Sequence, residues 1–155
     1  MSKSLKRVEA ALRELGLAPD IRRMEDGTRT AADAARALGC APDQIAKSVM
    51  LKGARSGRAH LFITAGGQRV DTDAAAALSG EPLEKADAAL IRAQTGFAIG
   101  GVAPLGHVHP PESAHIDQRL YNFETVWAAA GTPIHVFPIR PEDLRRIVSI
   151  DGRSS

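Results

Sequence analysis

The stretch Pro42-Asp43-Gln44-Ile45-Ala46-Lys47-Ser48-Val49-Met50-Leu51, followed after a turn by His60-Leu61-Phe62-Ile63-Thr64-Ala65, decides the fold. Residues Pro42 to Ala46 read as a short helical turn that delivers Lys47 onto a strand made of Ser48, Val49, Met50 and Leu51. Gly53 to Arg58 is a turn. His60 to Ala65 is a second strand, carrying the β-branched and aromatic residues that suit a pleated surface. Gly66-Gly67 makes the next turn, ahead of Gln68-Arg69-Val70-Asp71.

Outward from this pair, helical patterns alternate with short strands. Leu5, Val8, Leu12 and Leu15 recur at spacings of three and four, which is one face of an amphipathic helix stopped by Gly16 and Pro19. Ile21 to Met24 is a weak extended segment. Thr30-Ala31-Ala32-Asp33 is a capping-box-like start, in which a hydroxyl and a carboxylate satisfy free helix N–H groups, and that helix runs through Leu38 to Gly39. Beyond the strands, one helix starts at Thr72 or Asp73 and ends at Gly80, and another runs from Asp87 to Gly96. Asp71 and Asp73 read as turn and cap residues.

His115-Ile116-Asp117 looks like a strand, Val126 to Ala130 fits helix or strand equally, and Ile134 to Phe137 reads as strand. Pro141-Glu142-Asp143-Leu144 opens a last short helix. The expectation is an α+β fold: a single compact mixed-sheet domain flanked by helices, over residues 1–150, with residues 151–155 as a C-terminal tail. A chain of 155 residues suits one core.

Composition narrows the function classes. Only 4% of the residues are aromatic, so the core rests on aliphatic side chains and stacking on several bases does not dominate any nucleic-acid contact. Twenty basic against eighteen acidic residues give +2, which permits a polyanionic partner without demanding one. Cys40 is the sole cysteine, so no internal disulfide forms, and it reads as a small half-buried residue at a helix end. No run of about 18 apolar residues is present, and the expected location is cytoplasmic with no membrane partner.

The chemistry-rich stretch is Phe97-Ala98-Ile99-Gly100-Gly101-Val102-Ala103-Pro104-Leu105-Gly106. No Gly-Lys-Ser/Thr follows the paired glycines, which rules out a P-loop. His107, His109 and His115 suggest a metal site, but Pro110-Pro111 interrupts them and a zinc site needs three or four converging ligands. No metal and no cofactor is expected. The histidines read instead as loop residues, with His107 near enough to the glycine loop to face a pocket. Asp117 is either a strand-end cap or a ligand for loop backbone near the site. Trp127 reads as core or as an interface anchor.

Four stretches in order carry a family resemblance: Thr30-Ala31-Ala32-Asp33-Ala34-Ala35 with Leu38-Gly39, Gln44-Ile45-Ala46-Lys47-Ser48, Gly100-Gly101-Val102-Ala103-Pro104-Leu105-Gly106, and Ile116-Asp117. Together they resemble the YbaK/ProX-type editing domains, which hydrolyse wrongly charged aminoacyl-tRNA, over about residues 5 to 148. The resemblance implies a trans-editing factor acting on an aminoacyl-tRNA, often tRNA for proline. It extends to prolyl-tRNA synthetase or an elongation factor as further partners. It implies Lys47, Gly100 and Gly101 as catalytic residues and Thr30, Val102, Ala103, Pro104 and His107 as substrate-binding ones. Water, aided by the 2′-hydroxyl of the tRNA, is then the nucleophile.

That chemistry agrees with the residue types. An attacked ester carbonyl becomes an oxyanion that fixed N–H donors stabilise, and glycines let a loop present such donors closely. Lys47, a compact cation on a flexible stem, suits positioning and electrostatics. The segment Ala128-Ala129-Ala130-Gly131-Thr132-Pro133-Ile134-His135-Val136 lacks the Ser and Asp of the cysteine-handling branch. It looks more like the ProXp-x branch, which removes alanine or 2-aminobutyrate. Two rival classes remain: a non-catalytic module of the same fold that holds tRNA or a synthetase, and a small-molecule ester or amide hydrolase. The latter lacks any recognisable nucleophile or metal set.

Overall fold

The computed structural model describes residues 2–25 and 30–150, the side chains of 149 and 150 excepted; the tail expected at 151–155 lies outside the described residues. Its helices are α1 (Lys3–Glu14), α2 (Ala31–Leu38), α3 (Thr72–Ser79), α4 (Ala88–Thr95) and α5 (Pro141–Ile150). Its strands are β1 (Arg22–Arg23), β2 (Ile45–Gly53), β3 (Ala59–Ala65), β4 (Leu83–Lys85), β5 (Ala114–Ile116), β6 (Val126–Ala129) and β7 (His135–Ile139). All seven strands join one mixed sheet in the order β1-β7-β6-β2-β3-β5, with β4 added to the far end of β2.

Local sequence explains most of these boundaries. The Thr30 hydroxyl accepts from Asp33 N at 3.1 Å and the Asp33 carboxylate accepts from Thr30 N at 3.3 Å, closing the capping box. The Asp71 and Asp87 carboxylates cap α3 and α4 by accepting from first-turn N–H groups, and Gly39, Gly80 and Gly96 end their helices with positive φ. Residues Pro42–Gln44 form a 3₁₀ turn, so β2 starts at Ile45 and Lys47 sits inside the strand rather than at its entry.

One choice left open by the sequence is settled, and two boundaries differ from the sequence reading. Val126–Ala129 is a strand, with Val126 and Ala128 buried and their neighbours half-buried, because β6 lies between β7 and β2. β7 runs through Pro138 to Ile139. β1 pairs only with His135 and Val136, so Pro138 falls where that side of β7 is an edge and no ladder N–H is needed. The closing helix is ten residues long, not short, since Leu144, Ile147 and Val148 bury one face against the core. β4 and a 3₁₀ turn at Gln118–Asn122 had no strong local signal.

β2 is the strand that positions the site. It pairs antiparallel with β3 from Ala46↔Ala65 to Lys52↔Ala59. On its other edge it pairs with β6 only at Ile45↔Trp127 and Ala46↔Ala128, and with β4 only from Leu51↔Lys85 to Gly53↔Leu83. Residues 47–50 therefore have an open edge where β2 and β6 fork apart. In an antiparallel ladder alternate residues aim both backbone groups at the partner, so two of these four aim theirs into the fork. The main core (Leu5, Val8, Leu12, Phe97, Phe137, Leu144 and neighbours) lies on one face of the sheet. A small cluster of Met24, Ala34, Ala35 and Ile45 lies under α2 on the other.

Candidate active site at the strand fork

A cavity of about 280 Å³ fills the fork. Successive residues of a strand point to opposite faces, yet Lys47 and Ser48 both line the cavity. The cavity therefore wraps the open edge of β2 and is walled from both faces of the sheet. α2 supplies Ala31 and Ala34, β6 supplies Trp127 and Ala129, and the glycine loop supplies Gly100 and Val102.

Lys47 is held from one side. Its ammonium donates to the carbonyls of Gln68 at 2.6 Å and Gly66 at 3.4 Å. The Gly66-Gly67 turn is fixed in its turn: a Cβ at Gly66 would lie 2.3 Å from the Pro42 carbonyl, and Gly67 N donates to Asp43 at 2.9 Å. Glycine is needed there because the backbone of one turn rests on the backbone of another. The result is a cation held at the cavity wall by backbone oxygens, with no carboxylate ion pair among the described residues.

The two glycines of the loop serve different ends. Gly100 has φ +89° and nothing within 4 Å of where a Cβ would stand, so it faces open space on the cavity wall. Gly101 instead packs on the Thr132-Pro133 backbone, 2.8 Å from the place its Cβ would take, and its N–H donates to Ala98 O at 3.0 Å. Of the two glycines implied as catalytic, Gly101 therefore has its N–H already engaged within the loop. The N–H groups of Gly100 and Val102 meet no acceptor among the described residues.

Of the residues singled out in the sequence, Lys47, Thr30, Gly100 and Val102 come together on the cavity wall, while Gly101, Ala103, Pro104 and His107 do not. Ala103 and Pro104 are buried behind the loop. The expectation that His107 faces the pocket is also corrected. Gly106, at φ +76°, turns the chain back onto α1, where Arg7 Nε donates to Gly106 O at 2.9 Å. His107 is carried inward, donating from Nε2 to Ala103 O at 2.6 Å and packing edge-on to Phe97 with centroids 5.5 Å apart. Burial pushes its pKa below the usual value, and nearby Arg7 adds to the effect. It braces the loop.

His135 is the wall residue that the sequence reading passed over. Its Nδ1 lies 2.6 Å from Thr132 Oγ1, and burial, then the Arg23 charge, push its pKa down, keeping it neutral at pH 7. Its signal was strand alternation after Gly131, visible only once β7 is placed. Ser48 is the other: its buried hydroxyl has no hydrogen-bond partner among the described residues. Asp117, left between two readings, caps strand and turn: it accepts from Ala65 N at 3.1 Å and Arg119 N at 3.0 Å. Cys40 packs half-buried beside α2, where burial raises its pKa away from a reactive thiolate. Among the described residues no three His, Cys, Asp or Glu side chains gather as a metal site, and no helix is long and apolar enough to cross a membrane.

The fold thus brings a cation and a glycine loop together on one cavity at a fork in the sheet. Residues 25–147 match the family model described as the aminoacyl-tRNA editing domain, and the chain belongs to that family. It is 29% identical over 141 residues to the uncharacterized protein YwhH of Bacillus subtilis (strain 168), covering 91% of this chain and 88% of that one. A crystal structure described as a candidate trans-editing enzyme for prolyl tRNA synthetase superposes with a TM-score of 0.89 at 38% identity, covering 100% of this chain and 96% of the other. A structure from epitope backbone grafting on scaffold proteins matches with the same TM-score of 0.89 at 37% identity, covering 100% and 97%. The YbaK/ProX resemblance and the α+β mixed-sheet fold thus stand.

Proposed function

We propose that this protein is a trans-editing aminoacyl-tRNA deacylase in the cytoplasm, hydrolysing the ester of tRNA for proline that carries a small amino acid such as alanine or 2-aminobutyrate. The observation that carries the reading is the convergence of Lys47, Thr30 and Gly100 on one cavity in a chain of the editing family. The likeness to a candidate trans-editing enzyme for prolyl tRNA synthetase supports tRNA for proline as substrate and the synthetase as partner.

In this reading the acyl group enters the fork and Lys47 orients the polar end of the substrate. The free N–H groups of Gly100 and Val102 then receive the oxyanion of the tetrahedral intermediate. Gly101 acts from behind, by letting the loop lie against Thr132-Pro133. Water attacks with the 2′-hydroxyl of the tRNA assisting. The ester C–O bond then breaks to give the free amino acid and the tRNA 3′-terminal diol, so no protein nucleophile is required. The alanines on the α2 side of the wall favour an aliphatic side chain over a polar one. One methylene is worth about 1–3 kcal/mol in such a pocket, which is why a second sieve is useful at all.

The test is deacylation of alanyl-, 2-aminobutyryl-, cysteinyl- and prolyl-tRNA for proline by wild type and Lys47→Ala. The expected result is loss of a small mischarged acyl group, sparing of proline and failure of the variant. Hydrolysis of none of the four by folded wild type would overturn the assignment. Because Lys47 also ties down the Gly66–Gln68 turn, thermal unfolding of the variant is measured alongside.

A further inference from the structure

Much of the wall of the cavity is built from small side chains, and one residue stands out among the rest. Ala31 and Ala34 from α2, Ala128 and Ala129 from β6, Val49 and Val136 are all compact; Trp127 is the only tryptophan of the chain and the largest group on the wall. β6 otherwise carries only valine and alanine, so this strand places a single bulky ring where it meets β2, opposite Ile45. The ring is half-buried, and its indole N–H meets no acceptor among the described residues.

Trp127 is also contacted from outside the cavity. Arg22, which is not on the wall, lies with its guanidinium carbon 4.9 Å from the centroid of the ring. The same guanidinium is tied to the Asp20 carboxylate at 3.1 Å. A planar cation over an indole face is attractive, and here it lies against the ring from outside the cavity. Register supports the contact: Arg22 pairs with Val136, and Val136 with Ala129, which places all of them on the face that carries Trp127.

We infer that Trp127, braced by the Arg22–Asp20 pair, is a specificity-determining residue that limits the size of the acyl group the cavity accepts. This rests on the editing reading above. A rigid ring excludes a larger acyl group by steric overlap, which is discrimination by a repulsive element rather than by added attraction. Shortening the ring removes that exclusion without touching Lys47 or the glycine loop.

The experiment compares wild type, Trp127→Ala, Trp127→Phe and Arg22→Ala by kcat/KM on alanyl- and prolyl-tRNA for proline, with thermal unfolding of each. The expected result is that Trp127→Ala raises the prolyl-to-alanyl ratio at least about tenfold, the discrimination ordinarily held by one methylene. Trp127→Phe and Arg22→Ala shift it in the same direction by less. An unchanged ratio in a folded Trp127→Ala or Trp127→Phe overturns the inference while leaving the deacylase reading intact. Should wild type hydrolyse neither ester, kcat/KM gives no ratio to compare, and the deacylase reading is judged separately by the four-ester assay. The inference is then decided by the dissociation constants of 3′-alanylamino- and 3′-leucylamino-3′-deoxyadenosine. A ratio that moves toward the leucyl analogue in Trp127→Ala supports it, and an equal ratio or no binding of either analogue overturns it.

Discussion

Two polar regions of the sheet invite opposite functional readings from residue type alone. At the far end of β3, Glu81, His60, Ser113 and His115 form a buried chain: His60 Nε2 lies 2.7 Å from Glu81, His60 Nδ1 2.6 Å from Ser113, and Ser113 Oγ 2.7 Å from His115. A serine, a histidine and a carboxylate in sequence resemble a hydrolytic triad. At the fork, by contrast, there is a lysine on backbone carbonyls and, among the described residues, a hydroxyl with no partner and two loop N–H groups with no acceptor. The first region is closed upon itself. Glu81 also receives Arg55 N and Ser56 N at 2.9 Å and Ser56 Oγ at 2.7 Å, so its lone pairs are occupied, and Ser113 and His60 are no more than 5% exposed. Satisfied polar groups specify structure, whereas groups left over beside a cavity are available to a substrate.

The strongest way to break this contrast is His60→Ala. It removes one member of a buried, fully bonded chain and leaves a void among β3, β5 and the Glu81 turn. The expected cost is about 3 kcal/mol of stability. Deacylation by the remaining folded protein, measured at low temperature, should stay within twofold of wild type. A specific loss of kcat in folded His60→Ala would make the triad-like chain part of the chemistry after all.

Next in size is the pair Gly101→Ala and Gly100→Ala, which divides the fork itself. A Cβ at Gly101 would press on the Thr132 backbone at 2.8 Å, and overpacking of this kind costs about 1–3 kcal/mol. It should displace the loop and abolish most of the activity. Gly100 has room for a methyl, so only its positive φ opposes the change, at about 1 kcal/mol. Equal losses of Tm in the two variants would contradict the division of labour between these neighbours.

The pH dependence of stability sharpens the comparison further. His107, His115 and His135 all have lowered pKa values, each chiefly through burial, so below the ordinary 6.5 the unfolded chain binds protons that the folded chain does not. Stability therefore falls as the pH drops below 6.5. Glu81 is held down to about 2, first by the Ser56 hydroxyl, so its contribution is full above 4.5 and is lost between 4.5 and 2. Two successive declines are expected in an acid titration of Tm, and His60→Ala, which removes one of the hydrogen bonds to Glu81, should flatten the second. A single decline would contradict this account of Glu81.

How much of this was legible in the sequence follows from the range of each signal. Thr30–Asp33, Asp87 and the glycines after α2, α3 and α4 are local signals, and those helices lie where the sequence placed them. The strand character of Val126–Ala129 was undecidable because an alanine-rich run is buried by its neighbours, not by its own pattern. The same limit governs the site. Lys47 and the glycine loop were visible as motifs, but whether Gly101 donates or packs depends on Thr132-Pro133, about 30 residues away. Whether His107 faces the cavity depends on Arg7 and Gly106, 99 positions apart.

Ser48→Ala carries the smallest expected effect on stability and the most information about the fork. A buried hydroxyl without a partner contributes nothing to the fold and costs its own desolvation, so its removal should leave stability within about 0.5 kcal/mol or raise it slightly. Serine has three staggered rotamers, and the one that turns its oxygen toward the cavity gains a partner only when a substrate brings a polar atom. Deacylation should then fall in Ser48→Ala although the protein is no less stable, the reverse of the pattern for His60→Ala. If Ser48→Ala lost stability and kept full activity, the hydroxyl would belong with the sealed network on β3, and the distinction between leftover and satisfied polar groups would fail at the residue that expresses it most sharply.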